Sequence, residues 1–153
     1  MSATSIAAIR ARRVWDSRGR PTVEAEVELA GGAKGRAIAP AGASRGSREA
    51  VDLRDGGTRF GGHDVMAACE HVRSTMAQAL RGRDALDQGA VDAAIVALDG
   101  TPNKAKLGGN ATVAVSMAVA HAAAAAMRVP LWKYLAGSGE VSLPLPEVQI
   151  FGE

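Results

Sequence analysis

Apolar and polar residues alternate strictly from Thr22 to Leu29. Val23, Ala25, Val27 and Leu29 fall on one side, Thr22, Glu24, Glu26 and Glu28 on the other. This period of two marks a strand with one face on a core and carboxylates on the outer face. Upstream, Ile6 to Trp15 is also strand-forming, carrying Ile6, Ile9, Val14 and Trp15, although its alternation slips at Arg12-Arg13. Asp16-Ser-Arg-Gly-Arg-Pro21 reads as a turn between the two. Gly31-Gly32 is a two-residue hairpin signal, with Ala33 to Ala39 as the returning strand. Three consecutive strands with short links predict an antiparallel meander.

Beyond residue 48 the period lengthens towards 3.6. Glu49 to Arg54 reads as a short helical turn stopped by Asp55-Gly-Gly. From Asp64 to Leu80, apolar residues recur at Val65, Cys69, Val72, Met76 and Ala79, with Asp64 as N-cap and Gly82 as terminator. Asp87 caps a further helix whose inner face is Val91, Ala94, Ile95 and Leu98. After a loop at residues 99–109, Asn110 caps a helix running to Met127. Pro130 then opens a last short helix, Leu131 to Ala136, ended by Gly137. The expected fold class is therefore α+β, a three-stranded antiparallel β-meander followed by a helical bundle.

The Ala111–Met127 stretch changes this picture little, although its only ionisable residue is His121. It is a little short for a membrane span, rich in Ala rather than Leu, and without flanking aromatics, so it reads as a central core helix. The 153 residues are 47% hydrophobic but only 3% aromatic, which suits one domain with an aliphatic core. Lys and Arg number 18 against 16 Asp and Glu, with no basic run of the kind that binds nucleic acid. A single Cys excludes an internal disulfide and fits a reducing compartment. The N-terminus lacks the basic start and long apolar run of a secretion signal, so a cytoplasmic location is expected.

Candidate chemistry centres on Ala39-Pro-Ala-Gly-Ala-Ser-Arg-Gly-Ser-Arg48, between the last strand and the first helix. Small residues let a backbone bend sharply and approach a ligand. Ser44 offers a hydroxyl suited to a hard cation such as Mg²⁺, and Gly42 and Gly46 flank it as hinges. No Gly-Lys-Ser/Thr follows, so this is not a P-loop. His63, Cys69 and His71 are close in sequence, but His63 and Cys69 lie roughly 120° apart on a helix and one ion does not easily reach both. Cys69 reads as a buried thiol. Glu24, Glu26 and Glu28 read as solubilising or edge-protecting rather than catalytic. The residues alone identify no complete active site.

Four motifs nevertheless occur in order: Asp16-Ser-Arg-Gly-x-Pro-Thr-Val-Glu24, Gly42-Ala-Ser44, Glu49-Ala-x-x-Leu-Arg-Asp55 and Leu98-Asp-Gly-Thr-Pro-Asn-Lys-x-Lys-Leu-Gly108. With Asn110-Ala111 and Pro130-Leu131, they resemble the N-terminal domain of enolase (phosphopyruvate hydratase) from about Ile6 onwards. The resemblance implies an α+β lid domain over residues 1–142 of a Mg²⁺-dependent lyase interconverting 2-phosphoglycerate and phosphoenolpyruvate. Residues 143–153 resemble the start of the family's crossover into a barrel domain.

By the same resemblance, Ala41, Gly42, Ala43, Ser44, Arg45 and Gly46 form a lid loop on the substrate side. Ser44 ligates the second Mg²⁺, and Arg12, Arg18 and Glu24 lie near a dimer interface. Departures from the family pattern stand at Ala41 (usually Ser), Arg45 (usually Thr) and Arg20 (usually Asn). The family's catalytic lysine and its three carboxylate ligands for the first Mg²⁺ belong to the barrel and have no counterpart in these residues. The expectation is a domain inactive without a barrel partner and prone to self-association through the surface a barrel would cover. A non-catalytic interaction module of the same ancestry is the alternative.

Overall fold

The computed structural model describes residues 2–42, 44 and 46–148. β1 (Ile6–Trp15), β2 (Pro21–Leu29) and β3 (Lys34–Ile38) form one antiparallel sheet in the order β1-β2-β3. Strand β2 behaves as its alternation predicts, with Val23, Ala25, Val27 and Leu29 all buried. The slip in β1 has two causes. The register shifts between Ile6 and Ala8, which is why Ile6 and Ile9, an odd number of residues apart, are both buried. Arg13 stands opposite buried Val23 and so occupies an inward position, where its guanidinium meets Asp64.

The β2–β3 hairpin differs from the two-residue expectation. Leu29 N donates to Ala33 O, and Gly32 N donates to Leu29 O, so Ala30-Gly31-Gly32 is a three-residue connection. Gly32, at φ 86°, takes the left-handed position that such loops require. Strand β3 is one residue shorter at each end than the sequence suggested.

The helical run from Met66 to Leu80 is continuous but not uniform. It passes from α1 (Met66–His71) through a π-helical stretch, Val72–Met76, into α2 (Ala77–Leu80). Ser74 Oγ donates to Glu70 O at 2.7 Å, a back-bond that competes with the regular ladder. The looser winding places Leu80 rather than Ala79 on the buried stripe after Met76. Asp64 is not the cap. Asp55 accepts from Met66 N at 2.8 Å and Ala67 N at 2.9 Å, while Asp64 is committed to Arg13.

Residues 49–54 are not helical either. Val51 N donates to Asn103 O, Gly109 N donates to Val51 O, and the Asn110 side chain bonds both backbone groups of Leu53. With those groups taken by distant residues, the local i→i−4 pattern is not available to them. α3 (Gln88–Asp99) is capped as expected, Asp87 accepting from Ala90 N and Gly100 closing the end in the left-handed region at φ 70°. α4 (Gly109–Ala126) starts after Gly108, so Asn110 sits inside the first turn and clamps Leu53 instead of capping. α5 (Leu131–Ala136) lies between Pro130 and Gly137 as expected.

The helices lie on one face of the sheet. α4 packs on β2 and β3, and the π-helical stretch packs on β1. Ala111, Ala114, Val115, Ala118, Val119 and Ala122 of α4 are buried there, so its apolar character serves the core. Their small size brings α4 unusually close to β3. A Cβ added at Gly35 would lie 2.1 Å from Ala122 N and 2.2 Å from Ala118 O, both backbone atoms. Gly35→Ala must therefore push α4 off the sheet. We expect a loss of about 1–3 kcal/mol and a melting temperature several degrees lower by circular dichroism. An unchanged melting temperature would show that the helix does not rest on that glycine.

Candidate functional site

The chain leaves β3 at Ile38 and enters the small-residue loop. Its first root is fixed on the sheet. Thr22 Oγ1 donates to Ala39 O at 2.8 Å, Ala39 N donates to Val23 O at 3.2 Å, and Arg18 Nη1 reaches Ala41 O at 3.4 Å. Its second root is a closed turn. Gly46 N donates to Glu49 Oε1 at 2.7 Å, and Glu49 N returns a bond to Gly46 O at 3.2 Å. Between the roots, Gly42 and Ser44 are exposed. Ala43 and Arg45 lie outside the described residues. Below the loop is an open cleft of about 240 Å³, walled by Ala39 to Gly42, by Glu49, Ala50 and Asp52, and by the start of α4 at Gly109, Asn110 and Val113.

A magnesium ion requires near-octahedral oxygen coordination. Ser44 offers one hydroxyl. Among the described residues no group of three or more His, Cys, Asp or Glu converges on a common point. The two carboxylates on the cleft are already engaged, Glu49 by Gly46 N and Asp52 by Arg54 through Nε at 2.7 Å and Nη2 at 2.6 Å. These residues do not by themselves fit a magnesium ion. The arrangement can present one oxygen ligand at the tip of an anchored loop. Arg54 also reaches Pro21 O and His63 O, tying the cleft floor to the sheet.

The other singled-out residues resolve into structural partners. Cys69 is buried, and burial pushes its thiol up, as expected of a core thiol. His71 Nδ1 lies 3.3 Å from Leu107 O. Glu24, Glu26 and Glu28 form a cross-strand ladder with basic neighbours: Arg12 on Glu24 at 2.6 Å, Arg10 on Glu26 and Glu28, and Lys34 on Glu28 at 3.5 Å. Arg12 is 61% exposed and the Glu24 side chain only 12%, so the carboxylate lies beneath its own arginine. Arg18 stands apart from that pair, on the β1–β2 turn. Asp16 shapes this turn by accepting from Arg18 N and Arg20 N, and the backbone bond from Arg20 above all holds its carboxyl below the usual range.

Two acidic residues, Asp64, expected as an N-cap, and Asp99, expected only as part of a loop, prove central to the scaffold. Asp64, buried, takes both Arg13 Nη1 contacts at 2.9 and 2.8 Å, the Val65 N–H, and Arg59 at 3.2 Å. The Arg13 guanidinium also lies over the rings of Trp15 and Phe60. Asp99, at the end of α3, accepts from Thr101 N, Thr101 Oγ1 and Leu107 N, pinning the Asp-Gly-Thr-Pro-Asn-Lys loop from inside. Burial pushes both carboxyls up, but the hydrogen bonds and neighbouring cations outweigh it and hold both below the usual value. Arg13, the main partner of Asp64, lies too far along the chain for a local pattern to show, whereas Asp99 is met within its own loop.

A three-stranded meander backed by helices, with a small-residue loop anchored beside an open cleft, defines an α+β domain in which the described residues assemble no full catalytic set. The chain matches the model of the family described as "Enolase, N-terminal domain" over residues 6–135. It belongs to the enolase N-terminal domain family.

The buried carboxylates set the acid response. Each has a folded-state pKa below its unfolded value, so its stabilisation is fully present above about pH 4 and lost as pH falls through the depressed folded value. Asp99→Asn is expected to cost about 1–3 kcal/mol at neutral pH and to flatten the loss of stability on acidification, as read by urea unfolding at a series of pH values. An unchanged pH dependence would remove Asp99 from this role.

Proposed function

We propose that this chain is the lid-bearing N-terminal domain of an enolase, contributing to the Mg²⁺-dependent interconversion of 2-phosphoglycerate and phosphoenolpyruvate. The observation that carries the reading is a loop anchored at both roots beside an open cleft, with Ser44 exposed between the roots, in a chain that matches the family over residues 6–135. Ser44 supplies one oxygen ligand to an ion held chiefly by groups elsewhere. Removing a weakly acidic proton next to a carboxylate requires a positioned base and stabilisation of the developing charge. The carboxylates on this cleft are engaged in the scaffold, which supports a base and principal metal ligands contributed by a barrel domain. Arg12, Arg18 and Glu24 then serve a dimer interface, a role compatible with the exposure of Arg12.

The surface around α5 and after it supports docking. Trp132 is 60% exposed, Leu135 67%, Leu143 96% and Leu145 94%. Bare apolar side chains of this size mark a contact surface, which suits a barrel and also suits a non-catalytic interaction module. Phosphoenolpyruvate formation from 2-phosphoglycerate with Mg²⁺ separates the two. The purified chain alone is expected to show no turnover, and a separately produced enolase barrel is expected to gain turnover when the chain is added. Ser44→Ala is expected to reduce that gain roughly tenfold or more. Binding to the barrel without turnover would favour the interaction module, and turnover by the chain alone would overturn the lid reading.

A further inference from the structure

Gly46-Ser-Arg-Glu49 closes on itself through two reciprocal bonds, Gly46 N to the Glu49 carboxylate and Glu49 N to Gly46 O. The carboxylate bond is the glutamate half of a helix-start capping box, while the return bond goes to the Gly46 backbone carbonyl because glycine has no side chain to accept it; no helix follows, because the next residues are clamped by Asn103, Gly109 and Asn110. The turn therefore stands alone as the second root of the loop. A charge-assisted bond from a backbone N–H to a carboxylate is among the stronger single hydrogen bonds. Its donor, Gly46, is two residues from Ser44 in sequence, and its acceptor, Glu49, lines the cleft.

We propose that Glu49 is a positioning residue of the lid. By holding Gly46, it fixes the second root of the loop, as Arg18 at Ala41 and Thr22 at Ala39 fix the first, and the two roots together set where Ser44 is presented. The role rests on the lid reading above. It requires an acceptor at the end of the side chain rather than a negative charge as such. Gln supplies that acceptor at the same length; Ala supplies none.

The test compares the chain with Glu49→Gln and Glu49→Ala variants. Amide hydrogen exchange at Gly46, followed by NMR on the chain alone, is expected to quicken about fivefold or more in Glu49→Ala and to stay near the original rate in Glu49→Gln. With the enolase barrel added, Glu49→Ala is expected to lower kcat while leaving KM for 2-phosphoglycerate within about twofold, and Glu49→Gln to recover most of the loss. Unchanged exchange at Gly46 in Glu49→Ala overturns the anchor. Faster exchange with undiminished kcat overturns the positioning role while the lid reading stands. Failure of Gln to restore kcat assigns Glu49 a charge-dependent task instead and also overturns the proposal. A barrel that gains nothing from the unmodified chain sinks the lid reading itself, and the positioning role with it.

Discussion

The close approach of α4 to the sheet is the constraint on which the rest depends. With so few aromatic side chains available, the core cannot be filled by bulk, so it is filled by proximity. Gly35 lets the backbone of β3 meet the backbone of α4 at Ala118 and Ala122, and the alanines above and below continue the seam. Interiors pack at near-crystalline density, so a helix seated this deeply has little freedom to shift. Its first turn is thereby fixed relative to the end of β3. Those are two of the walls of the cleft beneath the Ser44 loop. The geometry of the candidate site is thus a consequence of small residues roughly two to four turns further along the helix, by the usual 3.6 residues per turn.

Charge is spent on the same task. Asp64 joins β1 to the segment that leads into α1, Asp55 caps α1, Asp99 holds the loop between α3 and α4, and Arg54 ties the cleft floor to the sheet. Burying Asp64 and Asp99 is tolerable because each is met by several donors. On the outer face of the sheet, arginines and glutamates alternate across strands and neutralise one another, which leaves that face polar without a strong field of either sign.

How much of this was legible in the sequence depends on how local its cause is. Strand β2, the Asp87-capped α3 and the Pro-to-Gly bounded α5 were readable because each is specified by residues within one or two turns of itself. The inward Arg13 was not, because its partner Asp64 lies 51 residues on and an arginine in a strand reads as outward. Residues 49–54 carry helix-forming spacing, yet their backbone partners come from 103–110, and tertiary bonds override local preference. Asn110 was placed correctly at the start of a helix but given the wrong task, since its side chain was assigned to the helix end nearest it rather than to Leu53. The Ser44 loop was recognisable as a loop from its composition, and its significance came from the ordered motifs. That Glu49 anchors the loop was hidden, because glycine followed three residues later by glutamate resembles the opening of a helix.

Perturbed ionisation is often a guide to catalytic groups, and here it leads elsewhere. The carboxyls held low are Asp16 in a turn, Glu28 on the outer sheet face, Asp64 and Asp99 in the scaffold, and Asp84, whose carboxylate takes Leu86 N. Each shift has a partner that shapes the fold, and none of these groups lines the cleft. A general base works best when its proton affinity is brought near that of its surroundings, which means a carboxyl pushed up rather than held down. Every carboxyl shifted among the described residues moves the other way. The shifted ionisation of this domain therefore reports its scaffold: these carboxyls hold turns, a strand ladder and buried joints in place.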